Sequence, residues 1–289
     1  MLFLLTIAEI MKKIACFVIA VLAFTGFARG QDAEYRAEEV ADGIFSFGGG
    51  PFAYYSMFVV TAEGVIVIDP VNPDLASAMM KEIGEVTDQP VKYVIYSHNH
   101  WDHISGGQIF QDAGATVISH IETKENIIPN ANVVMPNQTW TGDRFDIRLG
   151  GKTLELYYFG ASHGDGMTVF LLPQEKVLFT ADLVVPKRVG FMFLPDFSPQ
   201  NWIRTLKEIE KLEFEAALFA HDHPIGTRKD IVLQREYLED LTMAVGTALQ
   251  NGDMMLESVS LPKYKEWAHY DDWLPLNGAR IMLEMMMGY

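Results

Sequence analysis

Cysteine is almost absent from this chain. The only one among 289 residues is Cys16, which lies in an apolar run close to the amino terminus. If that segment is removed, the remaining chain has no disulfide, no thiol nucleophile and no thiolate metal ligand. Any metal centre must therefore be built from histidine and carboxylate side chains.

Positive charge is also scarce. The chain has 22 Lys and Arg residues against 38 Asp and Glu residues, and its formal net charge is −16. Such a surface repels the phosphate backbone of nucleic acids. We therefore expect a small-molecule substrate and no nucleic-acid partner.

Long hydrophobic runs are missing except at residues 14–24. Lys12 and Lys13 precede this run and small residues follow it, which is the pattern of a signal peptide. The run is too short for a typical transmembrane helix. We predict a signal peptide over residues 1–30 that starts at Met11, a periplasmic or secreted protein, and no stable membrane anchor after cleavage.

The remaining chain predicts an α/β fold. We expect one domain over residues 31–254, with helices at 104–113 and 230–250 and one capped by Asp74, followed by a C-terminal helical extension over 255–289 with its helix at 277–287. Along the chain, predicted strands first alternate with helices, then follow one another, and then alternate with helices again. This order of elements is compatible with sheets that are covered by helices on their outer faces. Predicted buried strands end directly before His98 and His221, and loops at strand ends commonly carry chemistry.

Histidine is concentrated in one short segment. Three of the eight histidines fall within His98-Asn99-His100-Trp101-Asp102-His103. Alternation along an extended segment points His98 and His100 the same way. Two adjacent ions can use the four ligand-type side chains more easily than one can, and zinc accepts both ligand types. The segment predicts two Zn²⁺ ions per chain, although iron or manganese would also suit these ligands.

The segment resembles the signature of the metallo-β-lactamase-fold superfamily, and the resemblance extends over about residues 40–250. Four further motifs support it: Gly64 to Asp69, Ser162-His163-Gly164-Asp165-Gly166, Thr180-Ala181-Asp182 and Ala220-His221-Asp222. The resemblance implies a four-layer αββα sandwich.

The resemblance also implies a role for each candidate ligand. His98, His100 and His163 would bind the first metal, and Asp102, His103 and His221 the second. Asp182 would bridge the two ions, and Asp69 would orient a ligand or its loop. His223 is an alternative to His221 as the last ligand.

The function implied is that of an exported zinc-dependent hydrolase in which a metal-bridging hydroxide attacks a carbonyl. Asp182 and Asp102 are the predicted catalytic residues, and Asp102 could relay a proton to the leaving group. A bridging Asp resembles the lactonases and the glyoxalase II-type enzymes, so we expect a lactone or a similar ester as substrate. A β-lactamase, a thioesterase and a mononuclear-iron persulfide dioxygenase are the alternatives.

Aromatic residues predict a substrate with an apolar portion. Trp101 lies between two ligands, Tyr54 and Tyr55 follow a glycine-rich turn, and Phe191 and Phe193 lie in an apolar stretch after Asp182. Tyr54 or Tyr55 could instead pack under a loop, and Phe191 and Phe193 could belong to a buried hairpin or a dimer contact. The methionine-rich C-terminal tail is predicted to be a covering for the domain, a lid or a contact in a homodimer.

Overall fold

The computed structural model of the protein describes residues 35–288. The predicted signal peptide, residues 1–30, lies outside the described part. No helix within residues 35–288 is long and apolar enough to cross a membrane.

Seven strands form the first sheet, in sequential order from β1 to β7. Their bounds are β1 Tyr35–Ala41, β2 Ile44–Gly49, β3 Tyr54–Thr61, β4 Gly64–Ile68, β5 Val91–Ile95, β6 Thr116–His120 and β7 Gln138–Trp140. The first four strands pair antiparallel, and β4 to β7 pair parallel.

The second sheet has six strands in the order β13-β12-β11-β10-β9-β8. Their bounds are β8 Arg144–Leu149, β9 Lys152–Tyr158, β10 Thr168–Leu172, β11 Val177–Phe179, β12 Ala216–Leu218 and β13 Ile225–Gly226. Only β11 and β12 pair parallel, so their carboxyl ends lie at the same edge of this sheet.

Seven α-helices complete the described chain. They are α1 Pro73–Val86, α2 Trp101–Ile104, α3 Gln108–Asp112, α4 Ile121–Asn126, α5 Pro199–Ile209, α6 Arg228–Gln250 and α7 Tyr270–Met287. Short 3₁₀ turns occur at Ala181–Leu183 and Pro262–Tyr264.

The hydrophobic core consists of two clusters, and side chains that alternate along a strand belong to different clusters. In β4, Val65 and Val67 pack in a cluster with Leu75 of α1, whereas Ile66 and Ile68 pack in a second cluster with residues of the other sheet. Successive strand side chains point to opposite faces, so the first sheet has helices on one face and the second sheet on the other. The second cluster continues into α5, α6 and α7. The predicted four-layer αββα sandwich is confirmed.

Some predicted elements differ in detail. Asn72, not Asp74, caps α1, because its side chain accepts the hydrogen bond from the backbone N–H of Leu75. The predicted helix at 104–113 is not continuous: α2 ends at Ile104, and α3 begins only at Gln108, after Ser105, Gly106 and Gly107. The C-terminal helix begins at Tyr270, well before 277, and includes Pro275.

Candidate metal centre

The candidate ligands lie at neighbouring strand ends. His98 and the α2 segment follow β5, His163 lies between β9 and β10, Asp182 follows β11, and His221 follows β12. Parallel pairing of β11 with β12 brings Asp182 and His221 to one edge. His98 and His103 are almost fully buried. The fold therefore collects residues from four distant segments.

Asp182 lies at the centre of the histidines. Its Oδ1 atom is 3.0 Å from Nε2 of His103 and 3.0 Å from Nε2 of His221. Its Oδ2 atom is 3.4 Å from Nε2 of His163. A carboxylate that faces imidazoles on both sides is placed to contact two ions at once.

Three groups of possible ligand atoms meet here, each with its atoms within 4.8 Å of one another. One consists of His98, His100, His163 and Asp182, another of Asp102, His103 and His221, and the third of Asp69, His98 and His103. The Nε2 atom of His98 is buried without a hydrogen-bond partner, and His103 Nε2 and Asp182 Oδ1, although 3.0 Å apart, do not have hydrogen-bond geometry. Buried polar atoms are nearly always satisfied, so these atoms fit a metal-binding role.

Burial sets the charge of two candidate ligands. It lowers the pKa of His98 and of His163 well below the usual histidine value, with neighbouring imidazoles acting in the same direction on both. Both rings are therefore neutral at pH 7, as metal ligation requires. Burial opposes the charge of Asp182, but His103 and His221 hold the pKa of its carboxyl well below the usual value.

Asp69 orients two of the imidazoles. Its Oδ2 accepts from the Ser97 hydroxyl at 2.6 Å, and the Ser97 oxygen lies 2.8 Å from Nδ1 of His98. The same Oδ2 is 3.3 Å from Nδ1 of His103. With Nδ1 of each ring engaged, Nε2 is the atom left for a metal. The orienting role implied for Asp69 agrees with these contacts.

Asp196 is a site residue that the sequence analysis missed. Its Oδ2 lies 2.6 Å from Nε2 of His100, while Nδ1 of His100 lies 3.1 Å from Nε2 of His163. Burial opposes the Asp196 charge, but His100 lowers the pKa of its carboxyl. His100 thus turns Nδ1 toward the ligand cluster. No spacing pattern linked two residues that lie 96 positions apart.

The positions of His221 and His223 favour His221 as the last candidate ligand. His221 belongs to the group with Asp102 and His103, whereas His223 belongs to no such group within residues 35–288. The His221 ring also lies edge-on to the Tyr54 ring at 5.1 Å.

A cavity of about 510 Å³ opens beside the candidate ligands. Tyr54 and Phe191, two of the predicted substrate residues, line it. The lining residues that are not candidate ligands are otherwise mostly apolar: Phe52, Val185, Arg188, Val189, Gly190, Pro195, Asp196, Phe197, Trp202 and Gln234. The part of the cavity wall that is not formed by candidate ligands is mostly apolar, which suits a substrate that is partly hydrocarbon.

Three predicted substrate residues lie outside this cavity wall. The Trp101 indole N–H donates to the carbonyl of Ile128 at 2.7 Å, which turns its ring toward that segment. Tyr55 neighbours Tyr54 on β3, and successive strand residues point to opposite faces. Phe193 lines a separate groove with Leu276 and Leu283 of α7.

The family model of the metallo-beta-lactamase superfamily matches residues 49–221, which include His98, His100, Asp102, His103, His163, Asp182 and His221. The chain belongs to the metallo-β-lactamase superfamily. It is a metal-dependent hydrolase with a His and Asp cluster suited to metal ions.

Characterised relatives are distant. The chain is 26% identical to the 2,4-dinitroanisole O-demethylase subunit alpha of Nocardioides sp. (strain JS1661) over 67% of its own length and 57% of that subunit. It is 26% identical to the metallo-beta-lactamase type 2 of Elizabethkingia meningoseptica over 70% of its length and 84% of that enzyme.

The metallo-beta-lactamase from Pontibacter korlensis supports the fold. That structure superposes with a TM-score of 0.64 at 22% identity, over 71% of this chain and 99% of the other. Identity this low shows the shared fold alone.

Proposed function

We propose that this superfamily member binds two zinc ions and hydrolyses a lactone or a similar ester that carries an apolar acyl portion. The observation that carries the proposal is the cavity, which has the His and Asp cluster at one end and an apolar wall along the other. His98, His100, His163 and Asp182 would hold one ion. Asp102, His103, His221 and Asp182 would hold the other.

Zinc bound there would lower the pKa of a water molecule toward neutrality and polarise the ester carbonyl. The protein supplies the positioning. Asp102 faces the cavity with its side chain 41% exposed, so its carboxylate can take a proton from water and pass it to the leaving oxygen. Phe191 and Phe197 exclude water from the acyl portion.

Tyr54 is placed to donate a hydrogen bond to the substrate. It lines the cavity, and burial together with Asp102 and Asp182 raises the pKa of its hydroxyl to about 12. The phenol is therefore protonated at neutral pH and can donate to a carbonyl oxygen.

A second candidate is hydrolysis of β-lactams. It is favoured by the relative from Elizabethkingia meningoseptica and by the metallo-beta-lactamase IND-1 of Chryseobacterium indologenes, to which this chain is 22% identical over 92% of that enzyme. A β-lactam also has a cyclic carbonyl that would suit the same cluster.

The test is a substrate panel with the zinc-loaded chain from Gln31 onward. The panel contains a short-acyl and a medium-acyl lactone, a thioester, a chromogenic cephalosporin and 2,4-dinitroanisole, each followed by its own spectroscopic or acid-release assay. We expect saturable opening of the medium-acyl lactone that Asp182→Asn abolishes and Asp88→Asn, an exposed control, retains. Preferred opening of the cephalosporin would replace the lactone proposal, and inactivity toward every ester would end it.

We also propose that the chain is exported. The support is the signal pattern at residues 11–30, with two lysines before an apolar run. Fractionation of an expressing bacterium, followed by amino-terminal sequencing, should recover a chain that starts near residue 29 or 31 outside the cytoplasm. An intact amino terminus in the cytoplasm would contradict it.

A further inference from the structure

The C-terminal helix α7 lies outside the family match at 49–221, yet it contacts the loop that forms one wall of the cavity. This cavity-wall loop, residues 190–197, contributes Phe191, Pro195 and Phe197 to the cavity lining. It also brings the Asp196 carboxylate into hydrogen-bond contact with His100. What holds this loop in place therefore also affects a candidate metal ligand.

Asn277 of α7 makes the central contacts. Its side chain is fully buried. Its amide nitrogen donates to the carbonyls of Gly190 at 3.0 Å and Met192 at 2.5 Å. Its amide oxygen accepts from the Tyr237 hydroxyl at 2.7 Å. Both amide hydrogens and the oxygen are thus used, which neither Asp nor Leu could reproduce.

The loop fits closely around this side chain. A Cβ atom added at Gly190 would lie 2.7 Å from the Asn277 amide oxygen and 2.9 Å from the Leu194 side chain. Met192 and Leu194 have positive φ angles of 45° and 50°, which non-glycine residues rarely adopt. Such a backbone persists only where its surroundings hold it.

Arg280, one turn further along α7, continues the contact. Its Nε donates to the Leu194 carbonyl at 3.2 Å, and its Nη2 donates to the Phe197 carbonyl. The loop is therefore held by helix side chains on both sides of Asp196.

We propose that Asn277 is a positioning residue for the metal centre, because it fixes the cavity-wall loop and thereby keeps Asp196 on His100. The inference rests on the metal centre of the proposed function, and not on the proposed substrate. A carboxylate that orients a metal-binding imidazole affects metal affinity by about 10- to 100-fold.

The experiment is a double-mutant cycle on zinc affinity, measured by competition with a chromophoric chelator. We expect Asn277→Ala and Asp196→Asn each to weaken zinc binding about ten-fold, and the double variant to be little weaker than either single variant. Gly190→Ala, which leaves α7 intact, should act like Asn277→Ala. Ile83→Ala, which opens a cavity in the other core cluster, is the control for general loss of stability.

Hydrogen exchange provides a readout without metal. In the metal-free chain, amides of residues 190–197 should exchange faster in Asn277→Ala but not in Asp196→Asn. The inference is overturned if zinc affinity in Asn277→Ala stays within two-fold of wild type, if Ile83→Ala weakens zinc equally, or if the two effects multiply in the double variant. A wild-type chain that binds zinc but cleaves no ester would overturn only the proposed substrate.

Discussion

Oδ2 of Asp196 lies 2.6 Å from Nε2 of His100, and this contact joins the apolar wall of the cavity to the candidate metal centre. The His100 side chain is 26% exposed and the Asp196 side chain 39% exposed, so the contact lies at the mouth of the site. One loop thus shapes the substrate space and orients a ligand.

Replacing Asp196 should weaken zinc binding while leaving the fold intact. Asp196→Asn keeps the shape of the side chain but removes the charge that orients His100, so we expect an affinity loss of about 10-fold or more. Chelator competition measures the affinity, and far-UV circular dichroism checks the fold. Unchanged affinity would mean that His100 is oriented without Asp196.

Removing the metal should lower thermal stability. The buried ligand atoms lose their partner, and a ligand held at about 100 times its Kd contributes about 2.7 kcal/mol. For a domain of this size that corresponds to a fall of about 5–10 °C in Tm. Calorimetry before and after chelator treatment measures it, and zinc should restore the original Tm. A Tm that changes neither on chelator treatment nor on addition of zinc would argue against a resident metal.

Phe191 should set the preference for acyl length. The residue lines the cavity and packs against Trp273 at 5.2 Å, so Phe191→Ala removes apolar contact from the acyl portion. We expect kcat/KM for a medium-acyl lactone to fall about ten-fold, which is about 1.4 kcal/mol, with little change for a short-acyl lactone.

Phe193→Ala is the matched control, because Phe193 has similar exposure but lies outside the cavity wall. Equal losses for the two variants, or equal losses for short and medium acyl chains, would show that Phe191 does not contact the acyl portion.

Stability should depend on pH through Glu239. Its carboxylate lies 2.8 Å from Lys207 of α5 and 2.5 Å from Arg235. Burial opposes the charge, but these two cations lower the pKa of Glu239 below 4.5. As pH falls, Glu239 is therefore protonated in the unfolded state before it is protonated in the folded state. The greater free energy of unfolding of wild type relative to Glu239→Gln is present above pH 4.5 and is lost as pH falls through the pKa of Glu239 in the folded state.

Urea unfolding of both proteins between pH 7 and pH 3.5 measures this difference. Lys207→Met should show a smaller pH dependence, since one of the two cations is gone. A difference between wild type and Glu239→Gln that is constant across this pH range would contradict the assignment.

The sequence by itself determined the candidate ligand types and most of the candidate ligand positions. His98, His100, Asp102 and His103 are close in the chain, so local geometry is enough to place them near one another. His163 and Asp182 were predicted from motifs that resemble those of the superfamily, and His221 from such a motif and from the strand that precedes it. The absence of cysteine outside the predicted signal peptide limited the centre to imidazole and carboxylate ligands.

Only the tertiary structure decided the walls around those ligands. Asp196 meets His100 across 96 residues, and Asn277 meets Gly190 across 87, through loops that carry no periodic signal. Trp101 and Phe193 looked suitable from their chain positions, but the Trp101 indole bonds to the Ile128 carbonyl and Phe193 lines a separate groove with α7 residues. Periodicity reports which face of an element is buried, whereas loop contacts depend on how distant elements pack.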